Sequence, residues 1–381
     1  MIYFDNSATT LPYSEVVETF AKVSTEYFGN PSSLHPIGKA SEQLMEQARK
    51  RIAGLLNVKD TDIVFTSGGT EGNNLAVKGA AYQNRSRGNH IITTGIEHSS
   101  TYEVCRQLEK EGFSVTYLTP GKHGYVSAST VREAITDQTV LVSLIHVNNE
   151  LGSIQPVEEI GSLLADYPKI LFHVDHVQGV TKVPIDFQRA KVDLCTISAH
   201  KFHGLPGNGV VIVRRGIKLM SLFSGGNQQA GYRAGTENVA GIVAMAKALR
   251  ITLTEAEKGT DHLRDMSYWL EEELRKIDGV MINSPAERAP HILNFSIPGL
   301  KPEVIVQALA ERDVYVSTKS ACSSKKNAPS RILVAAGFEK KQAESAIRLS
   351  FSFNNTKEEA SIFLEELKEV VGTMKKVVKF K

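Results

Sequence analysis

Seven short apolar runs punctuate the first two-thirds of the chain, at residues 63–65, 91–92, 115–118, 140–145, 170–174, 194–197 and 210–213. Each is apolar almost throughout rather than at every second position. That pattern belongs to strands buried on both faces, as in a parallel or mixed sheet. Amphipathic patterns fit between several of them, and the spacing predicts helices over 70–82, 99–111 and 157–167. Strand and helix in alternation predict an α/β domain over 14–255 with helices on both faces of its sheet. The texture changes at 255–260. A charged helix is predicted over 262–276, then a strand over 292–296, a helix over 302–313, strands at 315–317 and 347–351, and a last helix from Thr356. Ile362, Phe363, Leu364, Leu367 and Val370 are its predicted buried face. This order suggests a smaller α+β domain made of 1–13 and 256–381, with the boundary near Ala256.

Length agrees with two units, since 381 residues is more than the ~150 of a typical domain. Apolar residues make up 41% and charged residues 23%, an ordinary globular balance. Lys+Arg 44 against Asp+Glu 42 leaves +2, so overall charge calls for neither nucleic acid nor an anionic membrane. No apolar run approaches the ~18 residues needed to cross a bilayer. The N-terminal stretch has no basic and apolar regions of a signal peptide. The three cysteines, Cys105, Cys195 and Cys322, are widely spaced with no CxxC pair, which predicts neither a disulfide framework nor a cysteine zinc site and suits a reducing cytoplasm.

Three stretches carry candidate chemistry. Thr66-Ser-Gly-Gly-Thr-Glu-Gly-Asn73 follows a strand and opens a helix, where glycines let backbone approach a ligand and free N–H groups favour an anion. It reads as a phosphate cradle or as an ordinary capped turn. In His173-Val-Asp-His-Val-Gln178, Asp175 ends a very apolar strand; it needs a cation or several donors there, or it caps the next turn. Ser198-Ala-His-Lys201 ends another. A desolvated Lys201 would be an amine nucleophile able to form a Schiff base, or it snorkels to solvent. His200 and His203 with His173 or His176 could alternatively ligate a metal, though no metal-site spacing supports it. Taken together, a phosphate cradle, an acid and a lysine at strand ends are what pyridoxal 5'-phosphate requires.

At this point the chain resembles a cysteine desulfurase of the NifS/IscS type, in the class-V aminotransferase family of fold-type I pyridoxal-phosphate enzymes. The resemblance runs in order through Phe4-Asp-Asn-Ser-Ala-Thr-Thr10, Gly29-Asn-Pro-Ser-Ser33, Glu97-His98, Val147-Asn-Asn-Glu150, Arg233-Ala-Gly-Thr-Glu-Asn238, Ser320-Ala-Cys-Ser323 and Ile347-Arg-Leu-Ser350, besides the stretches above. It implies a large domain with a mostly parallel seven-stranded sheet between helices. Carried over, it implies that Lys201 holds the cofactor, that Asp175 pairs with the ring nitrogen and that Gln178 contacts the ring hydroxyl side. It implies that His98 stacks on the ring and is catalytic, and that Gly69, Thr70, Ser198 and His200 bind phosphate. Thr236 is implied to bind the phosphate held by the other subunit of a homodimer. Asn149 and Arg348 are implied to receive the substrate carboxylate, and Cys322 to be the nucleophile that accepts sulfur from L-cysteine. Cys322 stands in a polar stretch with Lys319, Lys325 and Lys326, which favour a thiolate; Cys105 and Cys195 read as packing residues.

Three features depart from the family pattern: His176 beside Asp175, the Leu205-Pro-Gly-Asn208 turn, and Gln228-Gln-Ala-Gly-Tyr232. The implied partner is a sulfur-acceptor protein, a thiolation or thiamine-pathway sulfurtransferase or an iron–sulfur scaffold; the chain ends soon after Arg348, which favours the dedicated sulfurtransferase. Rival readings are a selenocysteine lyase or another aminotransferase of the same fold, and, from other classes, a cysteine hydrolase working without pyridoxal phosphate or a non-catalytic sulfur-relay protein.

Overall fold

The computed structural model describes residues 1–58, 63–121, 124–318 and 329–379. The chain enters through a short strand β1 (Ile2–Tyr3) and two helices, α1 (Ser14–Glu26) and α2 (Pro36–Leu55). Then follow β2 (Ile63–Thr66), α3 (Gly69–Gln83), β3 (His90–Thr94), α4 (Ser99–Lys110), β4 (Ser114–Leu118), α5 (Ala128–Ala134), β5 (Thr139–Ile145), α6 (Val157–Leu164), β6 (Leu171–Asp175), β7 (Leu194–Ser198) and β8 (Gly209–Val213). A 37-residue helix, α7 (Val239–Arg275), leads to β9 (Met281–Ile282), β10 (Ile292–Ser296), α8 (Pro302–Ala310), β11 (Val314–Tyr315), α9 (Arg331–Ala335), α10 (Lys340–Glu344), β12 (Ala346–Ser350) and α11 (Lys357–Lys379).

All seven predicted apolar runs become strands of one sheet, ordered β2-β8-β7-β6-β5-β3-β4. Pairings along β4, β3, β5, β6 and β7 are parallel, and β8 runs against both of its neighbours. Both faces are covered, and the strand period of two sorts the side chains between them. In β6, Phe172 and Val174 join one cluster with α1, α2 and α7, whereas Leu171 joins another with α3 and α4. Chain order turns back between β3 and β5, so the carboxyl ends of β5, β6 and β7 open onto a crevice where ligands bind in such sheets.

Helix α6 packs closely against the connection between β6 and β7. A Cβ on Gly161 of α6 would sit 1.7 Å from the Ala190 carbonyl oxygen, which belongs to rigid backbone. Gly161→Ala is therefore expected to destabilise by about 2–3 kcal/mol through overpacking, read as a lowered thermal midpoint.

A second apolar cluster joins Phe4, the C-terminal half of α7, β10, β12 and α11. The helix expected over 262–276 is the last part of α7, which runs unbroken through position 256. The charged residues there, such as Glu257 and Lys258, stay exposed on the helix, so the change of texture is one of surface and not of backbone. On α11 the predicted face needs one correction. Phe363, Leu364, Leu367 and Val370 are buried, but Ile362 is 48% exposed. The buried stripe is Ala360, Phe363, Leu364, Leu367, Val370 and Val371, and Ile362 falls off that i, i+3, i+4 spacing.

Candidate active site

The crevice holds a cavity of about 340 Å³. Gly69, Thr70, His98, Asn149, Asp175, Gln178, Ser198, His200, Lys201 and Arg348 all line it, together with Ser7, Ala8, Asn73, Ser100, Ile145 and Val177. Thus the residues singled out from sequence meet at one place, apart from Thr236, which is exposed outside it, and Cys322, which lies outside the described residues.

Its floor is the end of the sheet. Asp175 pairs in register with Ile145 and Thr196 and is buried. Its carboxylate is held on both oxygens: Asn73 Nδ2 donates to Oδ2 at 2.7 Å, and the Val177 N–H donates to Oδ1 at 3.1 Å. Oδ1 therefore caps the turn that follows β6, and Oδ2 meets a side-chain donor from α3. Burial pushes the Asp175 carboxyl up, against those donors and the nearby Lys201. A cationic partner would favour the charged form.

Lys201 ends a single 3-10 turn, Ala199–Lys201, directly after β7. Its Nζ donates to the carbonyl oxygens of Ser7 at 2.5 Å and Ala8 at 2.8 Å. Gln178 Nε2 donates to the same Ser7 oxygen at 2.9 Å. The amine is therefore directed into the cavity rather than out to solvent.

One end of the cavity is made by the glycine-rich turn. Gly68 has φ 148°, in the region glycine favours, and α3 opens at Gly69 with no side-chain cap. A Cβ on Gly209 would come within 2.7 Å of Gly68 Cα, so the bare backbone of β8 is what lets the turn sit over the sheet. Behind it, Ser67 N–H donates to Glu71 Oε2 at 2.9 Å, and Glu71 Oε1 pairs with Arg233 at 3.0 Å. His200 and Ser198 flank this end; His200 Nδ1 lies 3.2 Å from Thr9 Oγ1, and burial lowers the imidazole to about 4.

His98 stands at the N-terminus of α4. Its Nδ1 accepts the Ser100 N–H at 3.2 Å and lies 2.8 Å from Ser100 Oγ. Burial, with Lys201, Arg331 and Arg348 nearby, lowers it to about 4, so the ring is neutral at pH 7. At the opposite wall Arg348 is buried on β12. Its Nη1 donates to the Asn149 carbonyl at 2.9 Å and its Nη2 to Asp5 Oδ1 at 2.8 Å. Arg348 Nε and Asn149 Oδ1 are buried without a partner among the described residues.

Sequence reasoning missed Ser7, Ala8 and Asn73. The first two act through carbonyl oxygens, which no residue type announces. Asn73 closed the glycine-rich motif, but its span to Asp175 depends on helix packing. The other histidines are used internally. His173 bonds Ser143 Oγ at 2.8 Å and Thr196 Oγ1 at 3.0 Å, and His203 Nδ1 bonds the Leu11 carbonyl oxygen at 2.8 Å. His176 turns away from the cavity and places Nδ1 2.8 Å from that of His146. Among the described residues no group of three or more His, Cys, Asp or Glu gathers as a metal site. Asn208 and Gln229, in the other two unusual turns, also serve the scaffold: Asn238 Nδ2 donates to Asn208 Oδ1 at 3.2 Å, and Phe65 N–H to Gln229 Oε1 at 3.0 Å. Cys105 and Cys195 are fully buried and unpaired, and burial pushes both thiols up.

Comparison with known proteins agrees with this geometry. The class-V aminotransferase family matches residues 2–363. The chain is 45% identical to a NifS/IcsS protein homolog of Lactobacillus delbrueckii subsp. bulgaricus over 99% of both chains. It is 41% identical to the cysteine desulfurase IscS of Methanosarcina thermophila, over 98% of this chain and 93% of the other. The solved structure of SspA in complex with cysteine superposes with a TM-score of 0.81 at 33% identity, covering 92% of this chain and 99% of that one. With a strand order, a strand-end acid and a strand-end lysine that fit throughout, the chain belongs to the class-V aminotransferases of fold-type I, and within them to the cysteine desulfurases of the NifS/IscS type.

Proposed function

We propose that the chain converts L-cysteine to L-alanine with pyridoxal 5'-phosphate as cofactor, leaving the sulfur as a persulfide on Cys322. The observation that carries this reading is the convergence of Lys201, Asp175, His98 and the α3 N-terminus on one cavity that also presents Arg348. The cavity's residues fit the cofactor. A Cβ at Gly69 would be 3.0 Å from Val177 Cγ2, so the absence of a side chain lets the α3 N-terminus approach the turn after β6 at the cavity. The buried Asp175 carboxyl, which burial pushes up, would gain a charged donor from a pyridinium, and Asn149 Oδ1 is buried without a donor among the described residues.

In this reading Gly69, Thr70, Ser198 and His200 hold the phosphate, Gln178 the ring hydroxyl side, and His98 stacks on the ring. When bound, the cofactor supplies an electron sink for substrate carbanion chemistry. Asp175 keeps the ring nitrogen protonated, which that sink requires. Asn149 and Arg348 bind the substrate carboxylate, Arg348 by charge-assisted bonds. Lys201, once released to the free amine, moves the proton at the substrate Cα. The Cys322 thiolate attacks the substrate sulfur; the S–S bond forms as the carbon–sulfur bond breaks, the bonding pair stays on the carbon fragment, and that fragment takes a proton at Cβ and regains the Cα proton to leave as alanine.

The further assignments belong to the same proposal. The domains are 14–255 and 1–13 with 256–381, each with its own apolar cluster. The enzyme is a cytoplasmic homodimer in which Thr236 serves the phosphate of the other subunit; Phe28 at 72% and Leu34 at 88% exposure give such a dimer apolar surface to cover. Unpaired cysteines suit a reducing compartment, and among the described residues no helix is long and apolar enough to cross a membrane. The persulfide passes to an acceptor protein, a thiolation sulfurtransferase or an iron–sulfur scaffold. The test is the visible spectrum of the purified chain with pyridoxal phosphate, before and after L-cysteine, with alanine assayed. A cofactor band that changes on adding L-cysteine, with alanine formed, is expected. A chain that stays colourless and forms no alanine overturns the proposal.

A further inference from the structure

Asp5 belongs to the N-terminal stretch that walls the cavity through the backbone of Ser7 and Ala8, yet it does not itself line the cavity. Its place is set by the fold. Ser350 N–H donates to the Phe4 carbonyl at 2.7 Å and Asn6 N–H to the Ser350 carbonyl at 3.2 Å, forming a parallel bridge between Asp5 and Ser350. Ser350 is two residues beyond Arg348 on β12, so the two share a face. Asp5 is thereby set beside the Arg348 guanidinium, with Oδ1 2.8 Å from Nη2.

Arg348 is only 1% exposed, and a buried guanidinium without a counter-charge is strongly disfavoured. Asp5 supplies that charge. It also pins the plane. With Nη2 on Asp5 and Nη1 on the Asn149 carbonyl, the guanidinium is fixed at two points. Of its five N–H groups, Nε–H and one hydrogen on each Nη remain among the described residues, where Nε is buried without a partner. A planar fork fixed in this way is preorganised for one further carboxylate.

We propose that Asp5 is a positioning residue for substrate: it orients Arg348 so that the remaining N–H groups donate to the α-carboxylate of the amino acid. This rests on the reading of Arg348 as the carboxylate receiver. The opposite arrangement, in which Asp5 occupies the place of the substrate carboxylate and competes with it, predicts the reverse sign.

The experiment uses the holoenzyme and its variants Asp5→Asn and Asp5→Glu. It measures the calorimetric Kd of L-alanine and of cysteamine, which lacks the carboxylate, and KM and kcat for L-cysteine. For Asp5→Asn, Kd for L-alanine and KM for L-cysteine are expected to rise about tenfold, the scale of one charge-assisted hydrogen bond. Cysteamine binding should change by less than about twofold, kcat far less than KM, and Asp5→Glu, which keeps the charge, should recover part of the loss. Unchanged or tighter L-alanine binding in Asp5→Asn overturns the proposal, and so does an equal loss for cysteamine, which marks a merely structural role. Should Asp5→Asn not fold, Asp5→Glu decides alone: L-alanine weakened more than cysteamine supports positioning, and equal effects refute it. A parent enzyme that binds L-alanine in this Asp5-dependent way but makes no alanine from L-cysteine refutes the desulfurase reading and keeps this one; a parent that binds neither amino acid refutes both.

Discussion

Replacing Lys201 with alanine is expected to remove the borohydride-reducible link to pyridoxal phosphate and to lower alanine formation by about 10³-fold or more, since one side chain supplies both the covalent anchor and the proton transfer. The environment of the amine argues for this size of effect. Lys201 sits on a one-turn element between a buried strand and the cavity, and its Nζ is already held by the Ser7 and Ala8 carbonyls. A neighbouring lysine provides the control. Lys182 is also buried, with burial lowering its amine to about 8, but its Nζ donates to the Lys201 carbonyl at 3.0 Å and it lines a separate cavity behind the site. Peptide mapping after reduction should find the pyridoxyl group on Lys201; finding it on Lys182 or any other lysine would falsify the assignment.

Cys322→Ser is expected to bind the cofactor as the parent does and to lose persulfide and sulfide output by about 10²-fold or more, because a hydroxyl cannot replace a thiolate as sulfur nucleophile. The two remaining thiols cannot take over. Cys105 is packed beneath α4 with Val104 and Leu108, and Cys195 lies within β7; burial pushes both away from the thiolate form. Cys105→Ala and Cys195→Ala should therefore lower the thermal midpoint while persulfide formation continues. Turnover of L-cysteine by Cys322→Ser at the parent rate would show that the sulfur leaves by another route.

The contrast between Lys201 and Lys182 shows where residue patterns stop being informative. Both lysines follow a buried strand of the sheet and are drawn toward its interior, and only the fold separates a side chain that enters the cavity from one that braces the peptide behind it. Ile362 on α11 makes the same point on a smaller scale: five apolar residues within nine positions cannot all share one stripe of a 3.6-residue helix, and the one off the stripe is exposed. Helix α7 shows the converse. Its charged middle reads as a boundary, but helix propensity is local and tolerates an exposed polar stretch, so the backbone continues across it.

The seven strands, the sheet class and the strand-end positions of Asp175 and Lys201 were legible in the sequence alone. Apolar runs too continuous to be half-exposed must be buried on both faces, and polar residues at their ends must face the crevice or be capped. The family landmarks likewise lie in the chain's own order. What only the tertiary structure decided is which distant groups complete the site. Asn73 reaches Asp175 across 102 positions, Ser7 and Ala8 receive Lys201 across more than 190, and Asp5 meets Arg348 across 343. Such contacts follow no periodicity. They are made by carbonyl oxygens or by short polar side chains whose partners are set by how helix, sheet and N-terminal segment pack together, and packing is a property of the whole fold.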